Sequence, residues 1–112
     1  MLFRSAFEWL GRLDNIINSA GVKIFPESVE ERLATFITDR FFIWKEPDAL
    51  LGEKVILLIE GREEAYRDLL MNLQKETVFS KYELPKKIYY LPHFKTTESG
   101  KIQREITAKL VL

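Results

Sequence analysis

One stretch stands out for its chemistry: Thr96-Thr97-Glu98-Ser99-Gly100-Lys101-Ile102-Gln103-Arg104. Hydroxyl residues, an acid and a glycine lead directly into one lysine. Gly100 permits backbone angles that side chains forbid. Lys101 carries a compact ammonium on a four-carbon stem, suited to negative charge developing on an oxyanion or a phosphate. A cation of this kind is useful where two anions must be brought together, because it offsets their repulsion and orients the attack. Taken alone, the same residues also describe a surface lysine after a Ser-Gly turn.

A second glycine-bearing stretch precedes it, Gly11-Arg12-Leu13-Asp14-Asn15-Ile16-Ile17-Asn18-Ser19-Ala20-Gly21-Val22-Lys23-Ile24. It offers an arginine and an aspartate two residues apart, then a short polar turn. On its own it reads equally as a β turn with Arg12 and Asp14 paired. His93 is the only histidine and there is no cysteine, which excludes disulfides, thiolate metal sites and multi-histidine metal sites. His93, beside Pro92 at a strand end, reads as a surface residue rather than a base.

Composition bounds the setting. The chain has 112 residues, of which 46% are hydrophobic, enough for one domain with a modest core and too many for a disordered tail. The 17 basic and 17 acidic residues balance, which argues against a nucleic-acid partner. Residues 86–109 nevertheless hold six bases against two acids, a net of +4. A basic end on a neutral domain suits a small anionic ligand, although a solvated terminal face fits as well. No apolar run approaches the ~20 residues of a membrane span. Met1–Arg4 is too short for an export signal, so a cytoplasmic location is expected.

The elements that must position these residues follow from periodicity and breakers. Phe7–Leu10 and Val22–Phe25 read as strands of a hairpin-like ribbon, with Asn18–Gly21 as a turn. Pro26 stops the second strand and opens a helix whose first turn is acidic. Val29, Leu33, Phe36 and Ile37 give that helix one apolar face. Its glutamates, Glu27, Glu30 and Glu31, are explained by the helix dipole, so no metal or base site is assigned to them. Arg40–Lys45 reads as a strand broken at Glu46-Pro47-Asp48, and Glu53–Glu60, with its continuous apolar centre, as its antiparallel neighbour. Arg62–Phe79 reads as a long helix with Ala65, Tyr66, Leu69, Leu70 and Leu73 inward. Lys87–Leu91 is a third core strand closed by Pro92. Arg104–Leu110 is a final helix with Ile106 and Leu110 inward. The expected fold class is α+β: a small three-stranded sheet packed with helices, preceded by a two-stranded β ribbon.

The two glycine-bearing stretches, in this order and separation, resemble the C-terminal domain of the adenylate-forming (AMP-binding) acyl-CoA synthetase superfamily, over nearly the whole chain. The resemblance implies a hinge and ribbon over residues 1–25 and a lid domain over residues 26–112. It implies that Lys101 is the catalytic lysine of carboxylate adenylation, that Asp14 is the hinge pivot, and that Arg12 contacts the nucleotide. Ser19, Ala20, Gly21 and Lys23 would form the loop that lines the coenzyme A tunnel in the thioester step. Arg104 matches an arginine that often follows the lysine, and reads as structural or weakly phosphate-directed, with the structural role favoured. The chain departs from the family pattern at Lys95, where the family usually has proline two residues before Thr97, and at Asn15 and Ala20, where an acid and a glycine are common.

The implied substrates are ATP, yielding AMP, a small carboxylate and coenzyme A, with Mg2+ accompanying ATP and no resident metal. Within the superfamily, the stretch from Asp14-Asn15 to Ile24 is similar to o-succinylbenzoate–CoA ligases of menaquinone synthesis. A glycine- and Ser/Thr-rich phosphate loop is missing, and the chain opens almost on Gly11-Arg12. The expectation is therefore that the large N-terminal domain is absent, that this domain is the chain's partner, and that the chain alone is inactive. The alternatives are a free-standing interaction module reusing the fold, and a stand-alone binder of small anions.

Overall fold

The computed structural model describes residues 15–112. The elements run β1 (Ile17–Ser19), β2 (Val22–Ile24), α1 (Pro26–Leu33), β3 (Phe41–Asp48), β4 (Gly52–Glu60), a 3-10 turn (Glu63–Tyr66), α2 (Leu69–Gln74), β5 (Lys87–Leu91) and α3 (Arg104–Ala108). The fold is mixed α/β, with one mostly antiparallel sheet and few helices.

Strand β4 is the hub. It pairs antiparallel with β3 from Phe41↔Ile59 to Asp48↔Gly52. It pairs parallel with β5 from Ile56↔Lys87 to Glu60↔Leu91. Its other end meets β1 antiparallel at Ser19↔Gly52. Because β3 occupies one edge of β4 throughout, β1 and β5 share the opposite edge, one at each end. This differs from a three-stranded sheet preceded by a ribbon: β1 and β2 continue the same five-stranded sheet.

The continuous apolar run of β4 serves both faces of the sheet. Val55, Leu57 and Ile59 pack with Val29 and Leu33 of α1 and with Tyr66, Leu69 and Leu73. Ile56 and Leu58 alternate to the other face, with Phe42, Leu91, Phe94 and Ala108 of α3. Alternation is a property of any strand, so apolar residues at every position mean cover on both sides.

Several expectations are corrected. Val22–Ile24 pairs with Ile17–Ser19; the expected partner, Phe7–Leu10, lies outside the described residues. Asn18 and Ser19 are therefore strand, and the turn is Ala20-Gly21, both with positive φ (53° and 83°). A two-residue hairpin loop needs that geometry to match the twist of its strands. Strand β3 runs on through Pro47 to Asp48, because an edge strand tolerates a missing N–H.

The long helix over residues 62–79 is instead a 3-10 turn followed by the short α2. Tyr66 is drawn inward, its hydroxyl 2.8 Å from Asp39 Oδ2, while Ala65 stays exposed. Finally, α3 turns Ile106 and Leu110 outward, 49% and 54% exposed, and buries Thr107 and Ala108. The hydroxyl of Thr107 accepts the Lys95 N–H at 3.1 Å, which fixes the helix in that rotation.

Candidate functional site

The lysine loop is a compact finger with its own internal bonds. Thr96 and Ile102 form an isolated antiparallel bridge. Above it, the Thr97 N–H donates to the Lys101 carbonyl at 2.8 Å and the Gly100 N–H to the Thr97 carbonyl at 2.9 Å. The Thr97 hydroxyl accepts the Lys101 N–H at 3.2 Å. Gly100 sits at φ +88°, and a Cβ there would meet no atom within 4 Å. Glycine is thus required by backbone angle, not by crowding.

The root of the finger is pinned on both legs. Before it, the Glu60 carboxylate accepts the Phe94 N–H at 2.7 Å while paired with Arg40 at 2.8 Å. The Arg40 guanidinium holds the Glu60 carboxyl below the ordinary carboxylate range, and the Phe94 N–H adds to this against the upward push of burial. After it, the Gln103 N–H donates back to the Lys95 carbonyl at 2.8 Å. Ile102 packs against the Phe42 and Phe94 face of the core.

Arg104 completes the root. Its guanidinium makes a two-armed bond to Glu30 of α1, with Nη2 2.8 Å from Oε1 and Nη1 on Oε2. It also lies 5.7 Å from the centre of the Phe42 ring. The Ile43 N–H donates to Glu30 Oε2 at 2.8 Å, and Arg104 Nη1 approaches the Ile43 carbonyl at 3.4 Å. Burial pulls the Arg104 pKa down, but the Glu30 and Glu27 carboxylates outweigh it and leave it raised. The guanidinium is committed to structure.

Lys101, three residues earlier, is exposed. Among the described residues it makes no ion pair. It stands at the rim of an open cleft of about 620 Å³, bordered also by Asn15, Glu27, Trp44 and Gln103. The ammonium is therefore available to an anion arriving from outside.

Of the other marked residues, the four at the β1–β2 turn lie apart from this cleft. Arg12 and Asp14 fall outside the described residues. Ala20, Gly21 and Lys23 are exposed at the β1–β2 turn, and Ser19 is buried with its hydroxyl unpartnered. A Cβ at Gly21 would meet nothing within 4 Å, so the close backbone approach for which glycine is suited is not made within the described residues. None of these four borders the Lys101 cleft. A separate hollow of about 450 Å³ between Tyr66 and Tyr90 holds no marked residue.

Sequence reasoning missed Glu30, Glu60 and Thr107 as holders of the finger. Glu30 lies between Val29 and Leu33, at the margin of the apolar face of α1, and that position is the one available hint.

The chain has relatives among known proteins. No protein-family model matches it. It is 34% identical over 106 residues to the human mitochondrial acyl-coenzyme A synthetase ACSM2B, with 88% of this chain aligned. It is 29% identical over 103 residues to the oxalate–CoA ligase of Saccharomyces cerevisiae. Among solved structures, an acyl-CoA synthetase (AMP-forming)/AMP-acid ligase II-like protein from Dyadobacter fermentans aligns over 91% of this chain at 38% identity and a TM-score of 0.78. Its relatives are AMP-forming acyl-CoA synthetases and ligases. The fold alone is shared with the ATP-bound MatB of Rhodopseudomonas palustris, at 19% identity and a TM-score of 0.76 over 90% of this chain. The chain spans about a fifth of the length of these curated relatives, 18% and 19% for the first two.

Proposed function

We propose that this chain is the mobile C-terminal domain of an ATP-dependent acid–CoA ligase that adenylates a carboxylate and then forms the thioester. The observation that carries the reading is the finger: an exposed lysine on its returning leg, with the neighbouring arginine withdrawn into structure. Adenylation crowds a carboxylate against the α-phosphate, and a single presented ammonium placed between them offsets the repulsion. Lys101 takes that role when the domain closes on the large domain, which is its partner and supplies the ATP and carboxylate pockets. Arg12 contacts the nucleotide and Asp14 is the pivot.

In the second step the β1–β2 turn, with Ser19, Ala20, Gly21 and Lys23, lines the path of the coenzyme A thiol. The separation of this turn from the Lys101 cleft suits a domain that rotates to present one and then the other. Mg2+ enters as the companion of ATP; among the described residues no group of three or more metal-ligating side chains lies together. The substrate assigned is o-succinylbenzoate, which places the parent in menaquinone synthesis in the cytoplasm, on the similarity of the stretch from Asp14 to Ile24. The chain alone is inactive in this reading, because it holds one wall of the active site.

The test uses the full-length ligase and separates the half-reactions. Lys101→Ala lowers acyl-adenylate formation, read by pyrophosphate exchange, by about 10²–10³-fold. It leaves thioester formation from supplied acyl-adenylate and coenzyme A near the wild-type rate. Gly21→Ala does the reverse. Equal losses in both steps for both variants would sink the reading.

A further inference from the structure

We propose that Glu30 is a positioning residue for Lys101: through one carboxylate it locks the root of the finger across the free edge of the sheet. The inference rests on the adenylation role of Lys101 for its kinetic consequence and on geometry alone for its structural one. Strand β3 is an edge strand, with β4 on one side only. An unpaired edge leaves backbone donors and acceptors to be satisfied by something else. At Ile43 both outward groups are taken: the N–H by Glu30 at 2.8 Å and the carbonyl, more distantly at 3.4 Å, by Arg104.

Glu30 comes from α1, which covers one face of the sheet. Arg104 opens α3, which belongs to the other face. The two meet over the edge of β3, so their pairing ties both layers and the intervening strand at one point. A bidentate arginine–carboxylate pair fixes orientation as well as distance, which a lysine at position 104 could not do. Glu27 Oε1, 4.0 Å from Arg104 Nη2, borders the same point.

This point lies three residues after Lys101. Between them Ile102 is half-buried against the Phe42 and Phe94 cluster, and Gln103 is bonded back to Lys95. The finger above has no described bond to any other part of the chain. Its direction is therefore set at its root. The ammonium is aimed by rotating the domain as a body, with the clamp preserving the aim. Without Glu30 the finger keeps its internal turn but loses its fixed bearing, and an effective concentration of the ammonium at the reacting phosphate is lost with it.

Two measurements decide this. The first uses the chain itself, with ¹⁵N relaxation at the Thr97, Gly100, Lys101 and Gln103 amides. In Glu30→Gln the order parameters of these amides fall together, whereas those of Leu57 and Leu58 in β4 stay at wild-type values. The second uses the full-length ligase below its melting temperature. Glu30→Gln lowers kcat for adenylate formation by at least about tenfold, leaves KM for ATP within about twofold, and spares the thioester step from supplied acyl-adenylate. Glu30→Asp recovers part of the lost kcat.

A purely structural role would lower the melting temperature with neither the selective loss of finger order nor the split between half-reactions. Finger amides as ordered in Glu30→Gln as in wild type would overturn the clamp. If Lys101→Ala leaves adenylation intact, the functional reading fails separately, and the relaxation result still decides whether Glu30 sets the finger.

Discussion

Lys101 and Arg104 are three residues apart, carry the same charge and have opposite fates. Arg104 is drawn under the chain, paired on two arms with Glu30 and seated over Phe42. Lys101 stands in solvent beside a cleft, with no ion pair among the described residues. A small domain can hold a functional charge in this way. One cation is given up to structure so that the other has a fixed base. A guanidinium suits the first task, because its planar fork matches a carboxylate and a backbone carbonyl together. An ammonium on a flexible stem suits the second, because it adapts to an anion whose geometry changes during reaction.

Truncating each cation in turn separates their roles. Arg104→Ala leaves Glu30 facing the edge of β3 without its partner. Removing one member of a buried pair costs about 3–5 kcal/mol, and this pair is partly exposed, so about 2–3 kcal/mol is expected. Lys101→Ala touches nothing in the fold and stays within about 0.5 kcal/mol of wild type. Urea unfolding of the chain measures both. Equal costs would mean that the two cations are not divided in this way.

A smaller effect sharpens the contrast at the finger tip. Gly100→Ala forces a Cβ into φ +88° with open space around it. The cost is backbone strain alone, about 1 kcal/mol. The hairpin turn at Ala20-Gly21 shows the same strain already present, since Ala20 holds φ 53°. Ala20→Gly therefore stabilises the chain by about 0.5–1 kcal/mol, opposite in sign to Gly100→Ala. Melting curves of the two variants should move in opposite directions.

Much of this was readable in advance where the cause is local. Lys87–Leu91 and the start of α1 at Pro26 follow from breakers and short-range periodicity, and the hub role of β4 from its unbroken apolar run. The exposure of Lys101 follows from its Ser-Gly approach. The order within the finger does not, since a Ser-Gly approach to a lysine announces a turn but neither its internal hydrogen bonds nor its pinned root. Glu30 and Arg104 are 74 positions apart, and no local pattern joins them. The dipole explanation of Glu30 was also sufficient as it stood, which concealed its second use. The rotation of α3 escaped for a related reason. Ile106 and Leu110 have the right spacing to be buried, yet a helix of five residues is too short for its apolar stripe to dictate its orientation. The bond between Thr107 and Lys95 does so instead.

The smallest expected effect concerns the other leg of the root. Glu60 is bonded to Arg40 and to the Phe94 N–H, which leads into the finger. Its folded pKa is lowered from the ordinary 4.5. A carboxyl depressed in the folded state contributes stability above its unfolded pKa and loses it as pH falls through the folded value. The contribution is thus complete at neutral pH and disappears below 4.5. Glu60→Gln should accordingly lower stability at pH 7 and flatten the acid limb, so that the curves of variant and wild type converge in strong acid. The same titration followed by amide exchange reports on the finger. The Phe94 and Gln103 amides should lose protection in acid before the core of β4 does, while the Gly100 amide, bonded only within the tip, should not follow them. Loss of tip and root protection at one pH would show that the finger is a single cooperative unit, and the division between Lys101 and Arg104 would then lie in the side chains alone.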